Sequence, residues 1–122
     1  MSSKSETGKR GEEIACRYME AQGFRILHRN LRMGHVETDI ICENGEYILF
    51  VEVKTRRATG AVTRYGSARD AVDVRKRENL VACAKEYLRA HKTEKKPRID
   101  VIEVYLSREE GAQITWIKNI LG

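Results

Sequence analysis

A chain of 122 residues, 41% hydrophobic and 34% charged, is long enough for one domain around a single modest core. Nine Gly and one Pro exclude collagen-like and low-complexity chains, and the apolar content excludes disorder throughout. No apolar run approaches the roughly 18 residues of a membrane span, and the first ten residues lack the apolar stretch of a signal peptide. The expectation is therefore a soluble cytoplasmic domain with no membrane partner. Lys and Arg number 23 against 18 Asp and Glu, a net charge of +5, which favours a polyanionic partner with nucleic acid foremost. Cys16, Cys42 and Cys83 are widely spaced and lack any CxxC pattern. That spacing argues against structural zinc, fits a reducing compartment, and predicts three small half-buried apolar side chains.

In chain order, residues 1–8 are small and polar and read as a flexible tail, leaving 9–122 as the single domain. Ile14, Ala15 and Tyr18 recur at helical spacing and predict a helix from about Lys9 to Gln22, with Gly23 as its stop. Phe24–His28 and Val36–Cys42 read as strands. Glu43-Asn44-Gly45-Glu46 is the strongest hairpin signal, and Tyr47–Lys54, apolar on both faces of its first half, reads as a central strand. A basic loop from Thr55 to about Ser67 precedes a long helix, about Ala68 to Ala90, with Leu80, Val81, Ala84 and Leu88 as its buried stripe. Ile99–Leu106 and Gln113–Ile120 complete the set as strands around a turn at Arg108–Gly111. The order α-β-β-β-α-β-β predicts an α/β layered fold with a mixed central sheet.

The chemistry concentrates on the central strand. Glu52 and Lys54 share a strand face with Ile48 and Phe50, so a face that begins as core ends in paired charges. Carboxylates are seldom buried unless paired or metal-bound. Glu37 and Asp39 share a face of the preceding strand, and the hairpin folds that strand back beside Glu52 and Lys54. Converging carboxylates with a lysine are what metal-dependent phosphodiester hydrolysis requires. Mg²⁺ takes hard oxygen ligands, and the lysine orients water or offsets developing charge.

Asp39, twelve intervening residues and then Glu52-Val53-Lys54 resemble the D…E-x-K signature of the PD-(D/E)XK nuclease superfamily, the restriction-endonuclease-like fold that includes Holliday-junction resolvases. One branch is closer. Gly11-Glu12-Glu13-Ile14-Ala15, Gly23-Phe24-Arg25-Ile26-Leu27, Asn30-Leu31-Arg32, Glu37-Thr38-Asp39-Ile40-Ile41, Phe50-Val51-Glu52-Val53-Lys54-Thr55-Arg56, Lys76 and Arg98-Ile99-Asp100-Val101 resemble the YraN family of uncharacterised bacterial proteins. The resemblance runs from about Gly8 to Val104 and implies a restriction-endonuclease-like three-layer core. It also implies Asp39 and Glu52 as metal ligands, Lys54 as the catalytic lysine, and Mg²⁺ or Mn²⁺ as cofactor. Glu12 matches the acidic helix position that resolvase-like members add to the metal site, and read alone it is equally a solvated helix glutamate. Glu37 is an auxiliary candidate, although Val36 stands where the family carries a glycine before this glutamate.

Arg56, Arg57, Arg64, Tyr65 and Lys76 surround this cluster in sequence and predict phosphate contacts with one aromatic for stacking. His35 reads as an exposed loop histidine and stays outside the predicted site. Two functions follow from these residues. One is a metal-dependent endonuclease acting on DNA, branched or structured DNA included, for which the resolvase resemblance implies a homodimer. The other is a nucleic-acid-binding module that keeps the nuclease fold without turnover of its own.

Overall fold

The computed structural model describes residues 5–57 and 74–121. Helix α1 (Glu6–Ala21) starts earlier than its apolar spacing indicates, because Ser5 caps it by accepting a hydrogen bond from Gly8 N at 3.1 Å. Residues 5–8 therefore belong to a capped helix rather than to a tail. At the other end Gly23 adopts φ +92°, which a residue with a Cβ resists, and Phe24 N closes onto Met19 O.

Five strands follow the order of the chain across one mixed sheet: β1 (Arg25–Met33), β2 (Val36–Glu43), β3 (Tyr47–Arg57), β4 (Lys96–Ser107) and β5 (Gly111–Ile117). Pairings are antiparallel except β3 with β4, which run parallel and are joined through helix α2 (Val74–Ala90). The helices cover opposite faces. Ala15, Cys16 and Met19 of α1 pack on Ile40, Cys42, Leu49, Val51, Ile102 and Val104. Leu80, Ala84 and Tyr87 of α2 pack on Ile41, Ile48, Phe50, Ile99 and Val101. Odd and even strand positions thus serve different layers, and the expected three-layer mixed α/β core is present. Among the described residues no helix is long and apolar enough to cross a membrane.

Several elements differ from expectation in length. Strand β1 continues to Met33 instead of ending at His28. A bulge between Ile26 and His28 and a positive φ at Asn30 break the apolar alternation by which a strand is read from sequence. Strand β3 continues through Arg57 because β4 pairs with it as far as Leu106, so Thr55–Arg57 are strand and not loop. Strand β4 begins at Lys96, paired with Tyr47, and β5 ends at Ile117, where Asn119 turns the chain at φ +53°. The expected start of the second helix, 68–73, lies outside the described residues.

The hairpin between β2 and β3 forms where expected, by a different device. Gly45 takes no positive φ; instead Asn44 Oδ1 accepts from the backbone N–H groups of Glu46 and Tyr47 at 2.8 and 2.7 Å. The three cysteines are fully buried instead of half-buried, and none is in a disulfide. Burial pushes the Cys16 thiol up to about 11 and the Cys42 thiol up to about 12, so neither supplies a thiolate near neutral pH.

Candidate active site

The β2–β3 ladder runs from Glu43↔Ile48 to Ile40↔Val51 and then opens. Asp39 and Glu52 are the next residues on the two strands, at the mouth of the fork. Asp39 crosses it with its side chain: Oδ2 accepts the backbone N–H of Val53 at 2.8 Å. Both carboxylates are buried, Asp39 to 5% exposure and Glu52 to 3%. The strand period that sends Ile48 and Phe50 into the α2 layer brings Glu52 to the same side. There the apolar stripe gives way to a cavity of about 450 Å³ lined by Asp39, Glu52, Lys54, Lys76 and Asn79 among others.

Helix α2 supplies the second lysine. Leu80, Cys83 and Tyr87 dock its buried stripe on the sheet, which carries Lys76, one turn before Leu80, over the end of β3. Lys76 Nζ lies 3.2 Å and Lys54 Nζ 3.4 Å from the same oxygen, Glu52 Oε2. Glu52 Oε1 is buried and has no hydrogen-bond donor among the described residues. Burial pushes the Glu52 carboxyl up, the Asp39 carboxylate beside it adds to the rise, and the lysines only partly oppose it. Two buried carboxylates sharing a polar cavity create a demand for positive charge, which the lysine ammonium groups meet from one side.

Asp39, Glu52 and Lys54 thus converge as the sequence indicates, and Glu37 joins them on the cavity wall. Lys76, expected only as a phosphate contact, pairs directly with the central carboxylate. His35 and Asn79 also line the cavity. His35 is visible in sequence beside Glu37 but carries no pattern of its own, and Asn79 is legible only once the buried stripe of α2 is placed against the fork. Glu12 lies on α1, in the other layer, and does not line the cavity. Its Oε1 accepts from Asn30 Nδ2 at 2.6 Å and lies 3.7 Å from Arg29 Nε. Arg56 turns to Glu103 on β4, with Nε donating to Oε2 at 2.9 Å, whereas Arg57 points to the α1 face and donates to Thr7 Oγ1 at 3.1 Å. Arg64 and Tyr65 lie outside the described residues.

The donor set suits a hard divalent cation. Mg²⁺ binds through one or two carboxylates and keeps other positions for water and phosphate oxygens, and Asp39 with the donor-free Oε1 of Glu52 matches that habit. Among the described residues no group of three or more His, Cys, Asp and Glu forms a ready cage, so a cation here would share its coordination with solvent or substrate.

A three-layer α/β fold with a cavity of three carboxylates and two lysines at a strand fork defines the class. The chain belongs to the uncharacterised protein family UPF0102, whose model matches residues 11–104. It is 39% identical over 120 residues to a UPF0102 protein of Dehalococcoides mccartyi, covering 98% of this chain and 95% of that one. It is 38% identical over 118 residues to a UPF0102 protein of Caldicellulosiruptor saccharolyticus, covering 95% and 97%. The resemblance read from the motifs is therefore borne out at family level. A solved structure of Pyrococcus furiosus SfsA in complex with Ca²⁺ aligns with 92% of this chain and 62% of its own, at 19% identity and a TM-score of 0.35. That likeness is too low to bear on fold or function.

Proposed function

We infer that this chain is a metal-dependent endonuclease that hydrolyses phosphodiester bonds in DNA, branched or structured DNA included. The observation that carries the reading is Glu52, a buried carboxylate beside Asp39 that opens on a polar cavity and holds two lysines on one oxygen while the other has no donor among the described residues. Scaffold carboxylates are satisfied by their surroundings. One left short of donors at a cavity wall is a functional-site signal.

In this reading Asp39 and Glu52 hold Mg²⁺ or Mn²⁺, which when bound makes hydroxide accessible near neutral pH and offsets charge on the phosphoryl oxygens. Lys54, with its side chain 32% exposed and its ammonium at the cavity, orients the attacking water or donates to a non-bridging phosphate oxygen. Lys76 opposes the desolvation that favours protonation of Glu52 and sits where it would meet a phosphate beside that carboxylate. The Asp39–Val53 hydrogen bond keeps the fork open and fixes the rotamer of one ligand.

The test is cleavage of labelled duplex, single-stranded, flap and four-way-junction DNA with Mg²⁺ or Mn²⁺, beside Lys54→Ala and Asp39→Ala, with binding measured in Ca²⁺. Cutting should fall by roughly 10²-fold or more in both variants while binding persists. A second reading, a binding module without turnover, is favoured by the lack of a three-ligand cage among the described residues. Binding by all three proteins with no cutting by any would select it.

A further inference from the structure

On the α1 face, opposite the carboxylate cavity, a second cleft of about 360 Å³ lies at the end of the sheet. Three arginines from separate elements line it: Arg10 of α1, Arg57 at the end of β3, and Arg108 in the turn between β4 and β5. Leu106 is buried at its edge, and Ser107 caps the turn by accepting from Glu109 N and Glu110 N at 3.3 and 3.4 Å. We propose that this cleft is a phosphate-binding site that takes the backbone of a nucleic acid, a second contact surface on the far side of the sheet from the carboxylates.

The charge pattern carries the argument. Of the five other arginines on the sheet, four are matched, Arg25 with Glu43, Arg29 with Glu13, Arg56 with Glu103 and Arg98 with Asp100, and only Arg32, on β1, has no carboxylate within 4.0 Å among the described residues. None of Arg10, Arg57 and Arg108 lies within 4.0 Å of a carboxylate among the described residues. The nearby acids are engaged or turned elsewhere. Glu6 pairs with Lys9 at 3.8 Å, Glu110 accepts from Gln113, and neither Glu109 nor Glu110 lines the cleft. Three like charges gathered in one concavity cost stability through mutual repulsion, a cost that a bound anion reverses. The planar guanidinium is suited to phosphate because it donates two parallel hydrogen bonds to neighbouring oxygens. Arg57 also has its direction fixed by the hydrogen bond to Thr7.

Position ties the two surfaces together. Arg57 follows Lys54 by three residues on the same strand, roughly 10 Å, and projects from the opposite face. A nucleic acid whose scissile phosphate sits against Lys54 can meet the cleft where its backbone rounds the end of the sheet. The inference rests on the reading of this chain as a nucleic-acid-acting protein, not on hydrolysis.

The experiment compares the parent, the triple variant Arg10→Gln/Arg57→Gln/Arg108→Gln, each single variant, and Lys92→Gln as an exposed charge control. Binding to a labelled DNA duplex is titrated in Ca²⁺ over a range of salt, thermal melts are run with and without pyrophosphate, and cleavage is recorded separately. Each arginine that meets a phosphate should contribute about 0.9 to the slope of log affinity against log salt, so each single variant should weaken binding by about five- to tenfold at 0.1 M salt. The single variants keep the test informative where the triple variant melts early. Slope and affinity unchanged in the arginine variants, with a melt response to pyrophosphate as large in them as in Lys92→Gln, would overturn the proposal. A pyrophosphate response lost in the variants while DNA binding stays at parent strength would keep the phosphate site and assign it to a free phosphate compound. Salt-dependent loss of binding with no cleavage by the parent would uphold the cleft and reject the nuclease reading; cleavage by the parent with the cleft variants binding normally would do the reverse.

Discussion

Two buried carboxylates on neighbouring strands of this sheet meet opposite fates. Asp100 on β4 is fully buried and receives Arg98 Nε and Nη2 at 2.9 Å each, Trp116 Nε1 at 2.8 Å and Asn119 N at 2.9 Å. Glu52 on β3, paired in register with Val101, is almost as buried, yet its two lysines crowd one oxygen and its carboxyl is pushed up by burial and by Asp39. Asp100 ties β4, β5 and the C-terminal turn together on the α1 side, where Trp116 also meets Tyr18 and Phe24 edge to face. Glu52 faces open space on the α2 side. A carboxylate with four donors is part of the frame, and one with an unmet oxygen at a cavity is the feature on which the proposed metal site rests.

Stability separates the two most sharply. Asp100→Ala should cost about 3–5 kcal/mol in urea unfolding, since it strands a guanidinium only 15% exposed and an indole N–H in one step. Glu52→Gln should leave stability unchanged or raise it by up to about 1 kcal/mol, because the lysines it releases are 32% and 42% exposed and can turn to water. Equal losses in the two variants would break the distinction.

Gly11 tests the frame on the α1 face by steric means. A Cβ there would sit 1.9 Å from Thr55 Oγ1 and 2.7 Å from Thr55 Cγ2, both on a β-branched side chain of β3 that cannot swing clear. Gly11→Ala should destabilise by about 1–3 kcal/mol, and Thr55→Ala in the same chain should recover part of the loss.

Metal addition probes the other carboxylate. Mg²⁺ or Mn²⁺ at about ten times its dissociation constant should stabilise the parent by about 1.4 kcal/mol, a rise of several degrees in Tm. The rise should vanish in Asp39→Asn and persist in Asp100→Ala. A rise that survives Asp39→Asn would move the cation away from the fork.

The smallest effect concerns Glu43, whose carboxyl is held below its ordinary value first by Arg25, at 2.6 Å, and then by Lys95, at 3.1 Å. A carboxyl lowered in the folded state adds stability above its unfolded value of 4.5, and that stability is lost as pH falls through the lower folded value. Parent and Glu43→Gln should therefore differ by a few tenths of a kcal/mol well above the unfolded value, since Arg25 is largely exposed, and should converge as pH falls below the folded value. A gap that widens on acidification would reverse the assignment.

Local pattern alone identified most of this protein. Apolar periodicity marked the helices, the Asn44 hairpin set β2 beside β3, and the pairing of Asp39 with Glu52-Val53-Lys54 marked the candidate site, since strand alternation and a short turn suffice to bring those side chains to one place. Local pattern failed where distant strands decide the outcome. Strand β1 hides its second half behind a bulge, β3 gains Thr55–Arg57 only because β4 runs parallel beside it, and Arg56 and Arg57, adjacent in sequence, part to opposite faces. Sequence singled out Glu52 beside Asp39 and Lys54 but could not show that Asp100 is fully satisfied, since Trp116 and Asn119 donate to it from other elements. Nor could it show that Lys76 belongs to Glu52, or that Arg10 and Arg108 share a cleft with Arg57, because charges far apart in the chain become neighbours only when the layers pack. Short-range sterics and burial patterns are written residue by residue. The satisfaction of a buried charge is a property of the assembled fold.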